Sequence, residues 1–221
     1  PLPTIRAAAR RARDLVSDRT YRQEWLAEFV EDGGGVFRGV RALATVPPGT
    51  PPADDHVYVI GVDWGRMEDY TAMVVLDVTT RRVVALDRSR RVEYATQRAR
   101  LAALATRYRV STIIAELNAM GQPIVEELLR DGLPVRGVTL TGESKPVLID
   151  ALALAIEQQR IALLDDPTLI AELEAYEASR LPSGATRYHA LPGMHDDTVI
   201  ALALAWSAIG RVGNSLRGAF G

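Results

Sequence analysis

The apolar residues of this chain follow two rhythms. Between residues 57 and 88 they form short runs of strand length: Val57-Tyr58-Val59-Ile60-Gly61-Val62, then Thr71 to Leu76, then Val83 to Leu86. Runs of this length bounded by polar clusters predict strands over 57–63, 70–77 and 82–88, and the brief Thr79-Thr80-Arg81 connection predicts a hairpin. From residue 95 helical spacing appears, with Leu101, Leu104 and Ala105 on one face, and helices then alternate with strands. The expected elements are a helix over 95–108, a β-branched strand over 110–115, a helix over 122–130 and a strand over 135–140. A helix over 144–159 and a short strand over 161–164 follow. An acidic helix over 167–179, a hairpin turning at 182–185 and a last helix over 196–209 complete the pattern. Pro123 and Gly132 punctuate one helix, and Ser144 is the expected N-cap of another, with Pro146 just inside it. Three antiparallel strands followed by helix–strand units predict an α/β fold. Its mixed sheet has five or more strands, the later ones parallel, with helices on both faces.

Residues before 55 read differently. Arg6 to Phe29 is an expected helix with Leu15, Tyr21, Trp25, Leu26 and Phe29 as its apolar positions. Gly33-Gly34-Gly35 breaks it, and the proline-rich stretch 46–52 reads as a linker. The expected organisation is a helical and linker segment over 1–54, a compact domain over 55–210 and a loose tail over 211–221. The first residue is proline, which suggests a fragment or processed piece.

Composition narrows the chemistry. The 221 residues are 48% hydrophobic, enough for a real core. No apolar stretch approaches the ~20 residues of a membrane span, so no membrane association is expected. The absence of cysteine excludes a disulfide framework and thiolate metal sites, and fits an intracellular setting. A net charge of −2 does not mark a nucleic-acid binder. The distribution is less even: nine of the 25 arginines fall between residues 81 and 109. That stretch reads equally as a solvated face or as a surface facing phosphates. Lys145 is the single lysine.

Three acidic positions stand out. Asp63 ends the first strand, Glu116 ends the strand after residue 110, and Asp196 and Asp197 open the last apolar helix. Each alone is ordinary: a turn former, an ion-pair partner, an N-cap with a first-turn charge. Together they suggest a shared site. If the first strand and the 110–115 strand are parallel neighbours, Asp63 and Glu116 emerge side by side, and the last helix brings its N-terminus to them. Clustered carboxylates raise one another's pKa unless cations neutralise them. Oxygen ligands without cysteine favour Mg²⁺ or Mn²⁺.

Ile60-Gly61-Val62-Asp63-Trp64-Gly65, Ile113-Ile114-Ala115-Glu116 and the run from Gly193 through His195-Asp196-Asp197 to Ala203 resemble a known set of motifs. They are similar to the three acidic motifs of the nuclease domain of tailed-bacteriophage terminase large subunits, in the ribonuclease H-like superfamily. The stretch from Tyr21 to Asp32 resembles the segment just before that domain. The resemblance spans about residues 21 to 209. It implies a ribonuclease H-like fold and a metal-dependent endonuclease. Such an enzyme cuts concatemeric double-stranded viral DNA during genome packaging, by two-metal hydrolysis with low sequence specificity. By resemblance, Asp63, Glu116, Asp196 and Asp197 are the catalytic and metal-binding residues for two Mg²⁺ or Mn²⁺ ions. Adjacent residues at a helix start point ~100° apart, so one late aspartate is the main ligand, and the sequence does not rank them.

His195 is read as capping the helix or standing behind the ligands, with contact to the scissile phosphate or orientation of a ligand as the alternative. Lys145 is read as a solvated helix-start lysine, with DNA contact as the alternative. The hairpin near Arg187 and the 81–109 region are candidate DNA-facing surfaces. The implied partners in a full-length protein are double-stranded DNA, a packaging ATPase domain, a portal protein and a small terminase subunit. The implied setting is the host cytoplasm rather than the mature virion, with the isolated domain monomeric. No Gly-x-x-x-x-Gly-Lys-Ser/Thr motif occurs, so this chain is not expected to hydrolyse ATP. The rival readings are a Holliday-junction resolvase or transposase-like nuclease of the same fold, and a non-catalytic docking domain.

Overall fold

The computed structural model describes residues 12–24, 35–65, 69–117, 121–181 and 186–209. In chain order these form α1 (Asp18–Glu24), α2 (Val40–Leu43), β1 (Ala44–Val46), β2 (Tyr58–Asp63), β3 (Tyr70–Asp77) and β4 (Arg82–Arg90). Then come α3 (Tyr94–Tyr108), β5 (Thr112–Glu116), α4 (Gly121–Arg130), β6 (Val135–Val138) and α5 (Ser144–Glu157). The chain continues through β7 (Leu163–Leu164), α6 (Pro167–Glu174), β8 (Tyr176–Arg180), β9 (Thr186–Ala190) and α7 (Asp197–Trp206).

The central sheet has five strands in the order β4-β3-β2-β5-β6. β3 runs antiparallel to both β2 and β4, and β5 runs parallel to both β2 and β6. This is the mixed α/β sheet that the apolar pattern predicts. β2 lies at its middle and reads as a nearly unbroken apolar run because both of its faces are covered.

Helix α7 is buried along its whole length, including Asp197 and Thr198 at its start. Thr198, Val199 and Ile200 of its first turns are β-branched, and alanines and leucines follow; at ten residues it still depends on packing. Val199, Ile200, Leu202 and Leu204 are at most 3% exposed, and each such side chain stabilises by ~1.5–3 kcal/mol on burial. The helix approaches the sheet closely because Gly61 has no side chain. A Cβ there would lie 1.9 Å from the Ala201 carbonyl oxygen and 2.5 Å from the Ala205 nitrogen. Gly61 and Asp63 are two residues apart in β2 and share this face. Thr71 points to the opposite face, since it is three residues from Val74, the partner of Gly61. Its hydroxyl donates to Gln97 of α3 at 2.9 Å, so helices cover both faces.

Several expectations are corrected. The acidic helix stops at Glu174, and residues 176–180 form strand β8. Tyr176 and Ala178 are buried on one side, a period of two that helical spacing does not accommodate. Ser144 is the first residue of α5 rather than its N-cap. The Thr141 hydroxyl accepts from the Ser144 amide instead, at 3.1 Å. The continuous helix expected over 6–29 is broken at residues 14–17, where the Ser17 hydroxyl accepts from the Thr20 amide at 3.3 Å. Its apolar positions Trp25, Leu26 and Phe29 lie outside the described residues, as do Gly33, Gly34, the hairpin turn at 182–185 and the tail after residue 209. The buried core also reaches back before Asp55. Val36, Phe37, Val40 and Val46 belong to it, and β1 pairs with β7.

Gly61→Ala tests the close approach. Backbone atoms on both sides leave nothing flexible to give way, so a loss of about 3 kcal/mol is expected, the upper end of overpacking effects. Urea denaturation measures it, and a loss below about 1 kcal/mol contradicts the packing described.

Candidate active site

Asp63 and Glu116 are neighbours by register. β2 and β5 run parallel with Val62 beside Ala115, so the next residue of each strand is an acid at the same sheet edge. The buried α7 then sets its N-terminus over this edge. Asp63, Glu116 and Asp196 all line one cavity of about 880 Å³. Lys145, Arg187 and His189 line it as well, the first from the start of α5 and the others from β9.

The two late aspartates differ. Asp196 occupies the N-cap position of α7 but makes no capping hydrogen bond with its side chain. Its carboxylate faces the cleft, with Lys145 Nζ 3.3 Å from Oδ2. Asp197 does not line the cavity. It lies 3.5 Å from Arg88 Nη2 and 3.8 Å from His195 Nδ1. His195 is thus held beside Asp197 and edge-on to Tyr70, 4.8 Å between ring centroids, and it too is absent from the cavity wall.

The electrostatics follow from burial. Desolvation, then the neighbouring Glu116 carboxylate, hold the Asp63 carboxyl well above its usual range, and Asp197 and Asp196 add to the rise. Burial and the nearby Glu172 carboxylate push Asp197 up to about 7, against the lowering effect of Arg88. Burial and the Asp196 charge also raise the Tyr176 phenol. A buried carboxyl held this far above its usual range beside other carboxylates belongs to a donor set suited to a hard divalent cation, which would replace its proton. The fit is with the chemistry rather than with a finished cage. Among the described residues, no three His, Asp or Glu side chains are already drawn together as a ligand set.

The arginine-rich stretch supplies none of the cavity wall. Arg88 pairs with Glu172 and Asp197, Arg98 with Glu127 and Asp131, Arg100 with Asp87, and Arg109 with Asp54. Local carboxylates account for these four, which favours the solvated and structural reading over a phosphate-facing one. His189 was not marked by the sequence. Its Nε2 lies 3.1 Å from Ser179 Oγ across the hairpin, and only the β8–β9 pairing brings it to the cleft.

A family model described as "Terminase RNaseH-like domain" matches residues 60–208, the span that holds every acid of the cleft. The chain belongs to this family. Among similar proteins, the terminase large subunit of Thermus virus P23-45 is 35% identical over 201 residues, 87% of this chain and 41% of that protein. The terminase RNaseH-like chain therefore spans about two-fifths of the length of the curated relatives it matches. The large terminase nuclease from thermophilic phage G20c, solved with bound magnesium, is 32% identical with a TM-score of 0.73. That match covers 80% of this chain and 98% of the G20c one. The nuclease domain of the Thermus phage P74-26 large terminase is 32% identical, with a TM-score of 0.71 over 79% of this chain and 95% of that one. The family and the ribonuclease H-like fold implied by the three motifs are those found.

The raised acids give a pH signature in the cation-free terminase domain. Asp63 and Asp197 hold protons in the folded state that they lose near ~3.9 when unfolded. Their protonated forms contribute stability that is complete below that value. It is lost as pH rises through the folded values, about 7 for Asp197. Asp63→Asn removes the Asp63 part. In EDTA its Tm should exceed the parent's more at about pH 8 than at about pH 4, by ~2–4 °C for each kcal/mol relieved. An equal difference at both pH values contradicts the raised Asp63.

Proposed function

We propose that this chain is a metal-dependent DNA endonuclease that cuts concatemeric double-stranded viral DNA during genome packaging. One observation carries the reading: Asp63, Glu116 and Asp196, from three separate elements, line one cleft whose walls also bear Lys145 and Arg187. Acids and cations lining one cleft match a phosphodiester flanked by divalent ions. The magnesium-bound G20c nuclease supports the same chemistry.

In this reading Asp63, Glu116 and Asp196 would hold two Mg²⁺ or Mn²⁺ ions, and Asp197 would add negative charge from just behind. Bound there, the ions supply an activated water and Lewis-acid stabilisation of the phosphate. Lys145, 3.3 Å from Asp196 in the cleft, would be placed to reach a phosphate oxygen. Arg187 grips the backbone from the hairpin as a charged, bidentate donor. Contacts of this kind read phosphate and not bases, so sequence preference is low and binding weakens with salt. The ATPase domain, portal and small subunit would act with this domain in the longer protein, in the host cytoplasm.

The test is nicking of supercoiled plasmid with Mg²⁺, Mn²⁺ or EDTA. Cutting is expected with either metal and not with EDTA. Metal-assisted charge stabilisation is worth several kcal/mol, so Asp63→Ala should slow cutting about 10²-fold or more. Asp196→Asn should lose more activity than Asp197→Asn. Equal cutting by parent and Asp63→Ala, or cutting in EDTA, removes the proposal.

A further inference from the structure

Glu172 is a buried acid that belongs to none of the three acidic motifs. It sits on α6, 3% exposed. A carboxylate persists at such a site only when it is paired and hydrogen-bonded. Its Oε2 accepts from the Thr198 amide at 2.9 Å and from the Thr198 hydroxyl at 2.6 Å. Its Oε1 lies 2.7 Å from Arg88 Nη2. Arg88 comes from β4, stacks 3.4 Å over the Tyr70 ring and reaches Asp197 at 3.5 Å. One carboxylate thus ties α6, β4 and the first turn of α7 together.

The consequence lies in the cap. An aspartate at an N-cap normally turns its side chain back to accept from the amides of the first turn. Asp196 does not, and Glu172 takes the Thr198 amide from a different helix. The Asp196 carboxylate is left to face the cleft. We infer that Glu172 is a positioning residue for the acidic site: by capping α7 in place of Asp196, it keeps Asp196 directed at Asp63 and Glu116. This rests on the metal-nuclease reading for its purpose, though not for its geometry. Arg88 completes the arrangement by neutralising Glu172 and holding Asp197 beside it. Without Glu172, the open amides of α7 attract Asp196 back toward its own helix, and the cleft loses an acid.

The experiment compares the parent with Glu172→Ala and Glu172→Gln, in the full chain. Mn²⁺ affinity is measured by calorimetry, and hydrogen exchange over residues 194–200 by mass spectrometry without metal. Glutamine keeps an oxygen that can accept from Thr198, and alanine does not. Loss of a group that orients a metal ligand typically costs ~10–100-fold in affinity, so Glu172→Ala should weaken Mn²⁺ binding in that range while Glu172→Gln stays within about threefold of the parent. Exchange over 194–200 should rise in the alanine variant and not in the glutamine one. If Glu172→Ala fails to fold, Thr198→Val takes its place, with a smaller weakening of Mn²⁺ binding expected. Unchanged Mn²⁺ affinity and unchanged exchange in the folded variant overturn the inference, as does a glutamine variant no better than alanine. A parent that binds no Mn²⁺ overturns the metal reading instead. The exchange data then decide alone: faster exchange only in the variant lacking the acceptor upholds the capping role, and equal exchange ends it.

Discussion

The contact between Gly61 and the backbone of α7 is the constraint on which the rest of this molecule depends. A side chain at position 61 would occupy the space now filled by the Ala201 carbonyl and the Ala205 amide. Its absence lets an almost wholly apolar helix lie directly on the middle strand of the sheet. That depth fixes where the helix begins. Its first residues arrive above the ends of β2 and β5, where Asp63 and Glu116 stand in adjacent strands. The chemistry at the sheet edge is therefore a product of core packing two residues away along the same strand.

That packing imposes an electrostatic cost. Asp63 is pushed well above the usual carboxylate range by burial and by Glu116, and Asp197 rises to about 7. The protein meets this cost with cations on either side of the helix start. Lys145 stands against Asp196 in the cleft, and Arg88 stands against Asp197 and Glu172 behind it. The two aspartates are adjacent in sequence yet face different partners, as the turn of a helix requires. A site that holds surplus negative charge in this way is poised for divalent cations, which exchange for protons.

Much of this was legible in the sequence. Asp63 and Glu116 could be read as strand ends because each closes a β-branched apolar run, and the family motifs placed the late acids. The succession of strands along the chain followed from run length and turn residues. What the sequence did not show depends on long-range partners. Asp196 and Asp197 could not be ranked because their difference is made by Arg88, Lys145 and Glu172, which are distant in the chain. The arginines of the 81–109 stretch read equally as solvated or phosphate-facing; Asp87, Asp54, Glu127 and Asp131 beside three of them and Glu172 beside Arg88 favour the structural reading for those four. Tyr176 and Ala178 carried the period-two signal of a strand, but it was short and continued an acidic helix. His189 had no local signature at all, since a hairpin partner brings it to the cleft.

In the proposed function, packing of α7 on β2 gathers Asp63, Glu116 and Asp196 into one cation-binding site. The most direct measurement is an anomalous-difference map from crystals of the domain grown with Mn²⁺. Mn²⁺ peaks are expected bonded to the Asp63 carboxylate, with Glu116 and Asp196 among the other ligands and Asp197 still paired with Arg88. Well-ordered Mn²⁺ elsewhere in the molecule, with none at Asp63, would contradict that reading.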